Sequence, residues 1–131
     1  MARSPHRGTH LLSMALSTLD FQQARIKQVL FKSRLRSVLY GVREADAALF
    51  SMADNPFGQW LATVVKPLYA ARPEVRALEQ TLQATLQAGQ ALVQQYQRGQ
   101  IEEARTGLSA VNTYADKIEE LLQSLEKAVV G

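Results

Sequence analysis

The chain has 131 residues, 47% apolar and 21% charged, with seven glycines and four prolines, a composition that fits one folded domain rather than a disordered protein. It contains no cysteine, which excludes disulfides, thiolate nucleophiles and cysteine-ligated zinc. The net charge of +3 is unevenly spread: through Arg43 there are eight Lys/Arg against the single acid Asp20, and beyond it seven against eleven.

Residues 1–13 hold Pro5, Gly8, His6 and His10 without periodicity and read as a flexible tail. Arg3 and Arg7 precede an apolar stretch from Leu11 to Leu19, but Ser13, Ser17 and Thr18 interrupt it. No small-x-small cleavage site follows, so a cytoplasmic protein is expected. No uncharged apolar run nears the roughly 18 residues that would suggest a membrane span. The remainder, 14–131, forms a single domain.

From about Ser17 to Gly41, the residues Phe21, Ala24, Gln28, Phe31, Leu35, Val38 and Val42 recur at alternating three- and four-residue spacing. That spacing predicts a helix with this row facing other helices. Arg25, Lys27, Lys32, Arg34 and Arg36 fall off the row, and Gln28 is its one polar member. Gly41 is a helix stop, followed by a shorter helix over about Val42 to Met52 with Ala45, Ala48, Leu49 and Met52 on one side.

The stretch Asn55-Pro56-Phe57-Gly58-Gln59-Trp60 is the most specific signal in the chain. Pro56 suits a first helical turn, with Asp54 or Asn55 as the cap. Gly58 marks a contact too close for a Cβ, and Trp60 is its anchor. A short helix therefore runs to about Val65. Lys66-Pro67 and Arg72-Pro73 bracket a kinked connection, because each proline disfavours helix in the residue before it. Pro73 opens a long helix with Glu74 at the positive end of its dipole. Its apolar face is Val75, Leu78, Leu82, Leu86, Gly89, Val93 and Tyr96, and it stops at Gly99. A last helix from Ile101 to Val129 repeats Ala104, Leu108, Val111, Ala115, Ile118, Leu122 and Leu125. The fold class expected is all-α, an antiparallel four-helix bundle with one or two short inserted helices.

Acid–base or nucleophilic catalysis needs convergent titratable groups in a sheltered site. Both histidines lie in the tail, and Glu79, Glu102, Glu103, Glu119 and Glu120 read as solvated faces. No phosphate-cradling glycine loop is present. An enzyme is not expected, nor a cofactor.

Three motifs are similar to those of the chemoreceptor zinc-binding (CZB) domain. They are Gln28-Val29-Leu30-Phe31, Asn55-Pro56-Phe57-Gly58-Gln59-Trp60, and Pro73-Glu74-Val75 leading to Leu82 and Leu86. That family shows a His-x-x-aromatic motif, a Cys-x-aliphatic/aromatic-Gly-x-Trp motif, a Pro-Glu-aromatic connection and a His-x-x-x-His pair. The resemblance covers about Ser17 to Leu125. It is carried by the scaffold positions Phe31, Phe57, Gly58, Trp60, Pro73 and Glu74, whereas every ligand position departs. Gln28 stands at the first histidine, Asn55 at the cysteine, and Leu82 and Leu86 at the histidine pair. Neither a carboxamide nor an alkyl chain replaces imidazole or thiolate on zinc. The resemblance implies a metal-free sensory, regulatory or adaptor module, commonly dimeric in that family and here expected as a homodimer acting on a signalling protein. Gln28 and Asn55 are expected to hydrogen-bond to each other where the zinc would sit.

Two other readings compete. Arg25, Lys32, Arg36 and Arg43 are spaced to share one face, which with the tail would offer phosphate contacts to a nucleic acid. A small apolar ligand could instead occupy the vacated site among Gln28, Asn55, Trp60, Leu82 and Leu86.

Overall fold

The computed structural model describes residues 15–130. The tail read from residues 1–13 lies outside them. Among the described residues the protein is all helical, with no strand, and no helix is long and apolar enough to cross a membrane.

Helix α1 spans Thr18–Leu39. Ser17 and Asp20 start it with a reciprocal capping box: the Asp20 amide donates to the Ser17 hydroxyl and the Ser17 amide to the Asp20 carboxylate, so two of the free N–H groups at the helix start are satisfied. Phe21, Ala24, Gln28, Phe31, Leu35 and Val38 are all buried, as their spacing predicts. The helix ends at Tyr40 and Gly41, whose φ of 73° is open to glycine at no Cβ penalty. The Val42 amide then reaches back to the Ser37 carbonyl at 2.9 Å.

That turn overturns the second expected helix. Val42 is 79% exposed rather than part of the buried row, and the helical structure between Val42 and Met52 is confined to the 3₁₀ turn Ala47–Phe50, capped by Asp46. Only Leu49 of its apolar residues is buried. The segment is too short of apolar contacts to hold a longer helix.

The next helical stretch is longer than expected. Helix α2, Pro56–Trp60, runs into a π turn, Leu61–Val65, and then into α3, Lys66–Tyr69. No break occurs before Pro67: Lys66 keeps helical angles (φ −60°, ψ −38°), and its amide bonds the Leu61 carbonyl five residues back. The wider turn shifts the hydrogen-bond register just ahead of the proline that cannot donate, which replaces a chain break with a bulge. Helix α4, Pro73–Gln97, begins with Arg72 bonded to Glu74 and ends at Gly99, φ 88°, where the Gln100 amide returns to the Gln95 carbonyl at 3.0 Å.

The last helix is divided. Helix α5, Ile101–Thr106, and α6, Leu108–Val129, meet at Gly107, where a Cβ would run into the end of the Leu92 side chain on α4. Ala104, Val111, Ala115, Ile118, Leu122 and Leu125 are buried, while Ile101 is not. Two arginines fix the direction of α1 against this pair. Arg25 bonds Glu119 and Glu126 on α6, each at 2.9 Å, and Arg105 on α5 donates to the Leu39 carbonyl at 2.8 Å. The start of α1 therefore lies beside the end of α6, so the two run in opposite directions. One apolar core joins α1, α2, the π turn, α4, α5 and α6.

Candidate functional site

Asn55, Phe57, Gly58 and Trp60, four of the residues named in the resemblance, form the start of α2. Asn55 is its N-cap and is 1% exposed. Its Oδ1 accepts from the amides of Phe57 at 2.9 Å and Gly58 at 3.2 Å, while its Nδ2 donates to the Leu49 carbonyl at 2.9 Å. One side chain thus closes a helix start and ties it to the 3₁₀ turn before it, leaving none of its own polar atoms orphaned. Gly58 is buried against the Met52 carbonyl, which a Cβ would strike.

Trp60 lies edge-on to Phe21 of α1, with ring centroids 5.7 Å apart, and tilted against Phe57 at 5.5 Å. Phe31 meets Phe50 edge-on at 6.2 Å. The Phe21–Trp60 and Phe31–Phe50 pairs bind α2 and the 3₁₀ turn to the inward row of α1, each adding about 0.5–1.5 kcal/mol beyond the area buried. Pro73 opens α4, whose Leu82 and Leu86 belong to the same apolar core as Phe57 and Trp60.

The expected bond between Gln28 and Asn55 does not form. Asn55 spends its hydrogen bonds on Leu49, Phe57 and Gly58, and the buried amide of Gln28 has no partner among the described residues. The Trp60 Nε1–H is likewise buried and unpartnered. The clefts along α1 are lined by Lys27, Leu30, Arg34 and Leu49 on one side and by Lys32, Leu108 and Asn112 on the other, and include none of Gln28, Asn55, Trp60, Leu82 and Leu86. Leu82 and Leu86, 0% and 2% exposed, occupy core instead.

The expected anion-binding face is also broken up. Arg25 is engaged by two carboxylates. Its partial burial disfavours the charge, but the bonds from Glu126 and Glu119 outweigh this and hold its pKa above the ordinary arginine value. Arg43 lies past the end of α1, where it lines a cleft with Arg34, Glu44 and Asp46, and Arg36 stacks on the Tyr40 ring at 4.8 Å. Of the four, Lys32 alone remains on the helix with no partner of this kind among the described residues.

A surface that the inward spacing did not point to lies on the outside of α1. Leu19, Ile26, Val29 and Leu30 are exposed there. The signal was present as a second row, Leu19, Ile26, Ser33 and Tyr40, repeating every heptad on the side opposite Phe21 and Gln28.

Among the described residues no cluster of three or more His, Asp or Glu could hold a metal ion. Compared with protein-family models, curated proteins and solved structures, the chain matches none.

Proposed function

We propose that the chain is a non-enzymatic regulatory or adaptor module, an antiparallel four-helix bundle resembling a CZB domain whose zinc ligands have been replaced, and that it works in the cytoplasm through protein–protein contacts. The observation that supports this reading is the turn at Asn55. The residue at the cysteine position caps α2 with two hydrogen bonds and ties it to the 3₁₀ turn with a third, Gly58 and Trp60 pack the helix it starts, and Gln28, Leu82 and Leu86 are buried on α1 and α4. A carboxamide that closes a helix start and leucines that fill a core hold such a frame without a metal.

The test is metal analysis of the wild type beside the variant carrying Gln28→His, Asn55→Cys, Leu82→His and Leu86→His, with circular dichroism to verify folding. About one zinc per chain is expected in the variant, and no stoichiometric zinc in the wild type. A folded variant that takes up no zinc shows that these positions do not converge, and the resemblance fails. In-cell crosslinking tests the interaction role separately: a chain crosslinked to no other protein from any of its faces refutes it.

A further inference from the structure

Leu19, Ile26, Val29 and Leu30 on α1 are 60%, 58%, 60% and 49% exposed. At about 3.6 residues per turn, Leu19, Ile26 and Ser33 fall along one line that ends at Tyr40, and Leu30 and Ser37 run beside it. This stripe contains no charged residue, although it faces away from the core, where a surface helix ordinarily presents polar side chains. A heptad recurrence is the spacing with which one helix seats another.

The borders of the stripe are basic. Lys27 and Arg34 lie on one side, Lys32 and Arg36 on the other, and none of them forms a salt bridge among the described residues. Arg34 shares a cleft with Glu44, Asp46 and Asp54 near one end. Asp20, the one acid on the helix, serves the Ser17 cap at the other. A second copy docked here would set Lys27, Lys32 and Arg36 against the same residues of its partner, while Glu119 and Glu126 are already engaged by Arg25 and Glu44, Asp46 and Asp54 gather at one end, which opposes pairing.

Charge complementarity selects a different occupant. We propose that the outer face of α1 seats one amphipathic helix of a partner protein, apolar along its contact stripe and bordered by Asp and Glu. This rests on the interaction role proposed above and adds the surface and the partner's chemistry. Ile26 and Leu30 are the central anchors, and Lys27 and Lys32 set the choice of an acidic helix over a basic one.

The experiment titrates two labelled synthetic peptides of about three heptads into the full-length chain, followed by fluorescence anisotropy. Both carry Leu at the contact positions, and the flanking positions are Glu in one and Lys in the other. The Glu peptide is expected to bind about tenfold or more tightly than the Lys peptide, with affinity falling as salt rises. The pair Ile26→Ser and Leu30→Ser weakens it by about tenfold or more while thermal unfolding is unchanged, because both side chains are exposed. Lys27→Glu with Lys32→Glu reverses the preference between peptides.

No binding, equal binding of the two peptides, or binding that survives the Ile26 and Leu30 substitutions overturns the proposal. Self-association by light scattering, or retention on phosphatidylglycerol vesicles, that the same pair abolishes and the Glu peptide does not compete for also overturns it, assigning the face to a second copy or to a membrane. A photocrosslinking residue placed in turn at positions 26 and 114 separates this failure from that of the wider role. Trapping a protein from position 114 and none from 26 leaves the interaction role standing and removes this face; trapping none from either removes both.

Discussion

Gly58→Ala adds one methyl group to a residue in a helix, where propensity alone favours alanine by about 1 kcal/mol. The new Cβ would fall inside the contact distance of the Met52 carbonyl oxygen and 3.1 Å from its carbon. That carbonyl cannot simply retreat, because the turn containing it is held by the Asn55 amide on the Ser51 carbonyl at 2.8 Å and by Asn55 Nδ2 on the Leu49 carbonyl at 2.9 Å. Overpacking of this kind costs about 1–3 kcal/mol, and loosening a buried hydrogen bond adds about 1 kcal/mol. After the propensity gain is subtracted, a net loss of about 1–3 kcal/mol is expected. Urea titration followed by circular dichroism measures it. Gly107→Ala is the control: its Cβ would meet the end of the Leu92 side chain, which can rotate away, and the Ala104 and Glu103 carbonyl oxygens only at 3.3 and 3.5 Å, so it should stay within about 1 kcal/mol of the wild type. A Gly58→Ala protein as stable as the wild type would refute the close-approach argument.

Three further outcomes follow from the same structure. Gln28→Leu should raise stability by about 1–3 kcal/mol, since the buried amide has no partner; a lower urea midpoint would show that the amide is satisfied in solution. Asn55→Ala should lower stability by about 2–4 kcal/mol, from a lost cap and an unpaired Leu49 carbonyl, and should speed hydrogen exchange at the Phe57 and Gly58 amides; unchanged exchange there would contradict the capping role. The Arg72 side-chain bond, with a smaller backbone contribution, holds the Glu74 carboxyl below the ordinary glutamate pKa. A depressed folded pKa gives stability that is complete above the unfolded value and lost as pH falls through the folded one. Glu74→Gln should therefore flatten the acid limb of the stability–pH curve, with a change at neutral pH of less than about 1 kcal/mol; an unaltered acid slope counts against it.

The long apolar rows were legible in the sequence because helix packing imposes a period on it. Phe21 through Val38 and Val75 through Val93 are buried where their spacing places them. Gly58 was legible as a close contact, since a glycine inside a helix start is unfavourable without one. What was not legible depended on contacts between distant segments. The row through Val42 reads as continuous, but Gly41 ends the helix and the next residues find no apolar partner. Pro67 reads as a break, and only the π turn before it shows how the helix continues. Gly107 divides the last helix through its approach to Leu92, which lies outside any local window.

At the candidate site the sequence placed Gln28, Asn55, Leu82 and Leu86 in the interior, and all four are buried. It did not give their hydrogen bonds. A side-chain amide has several ways to be satisfied, and Asn55 takes the local one, capping its own helix. The spacing of Arg25, Lys32 and Arg36 likewise said nothing of Glu119 and Glu126, which approach Arg25 only once the chain has folded back.

The two arginine contacts of α1 have a mechanical meaning. Arg25 grips α6 and Arg105 grips the Leu39 carbonyl, at heights roughly 20 Å apart along the helix axis. Attachment at two heights removes sliding as a soft motion, because a slip by one turn, about 5.4 Å, would rupture both ends together. A load applied to the outside of α1 between those points would therefore be resisted along the axis and act across it, as a bending moment between the two fastenings.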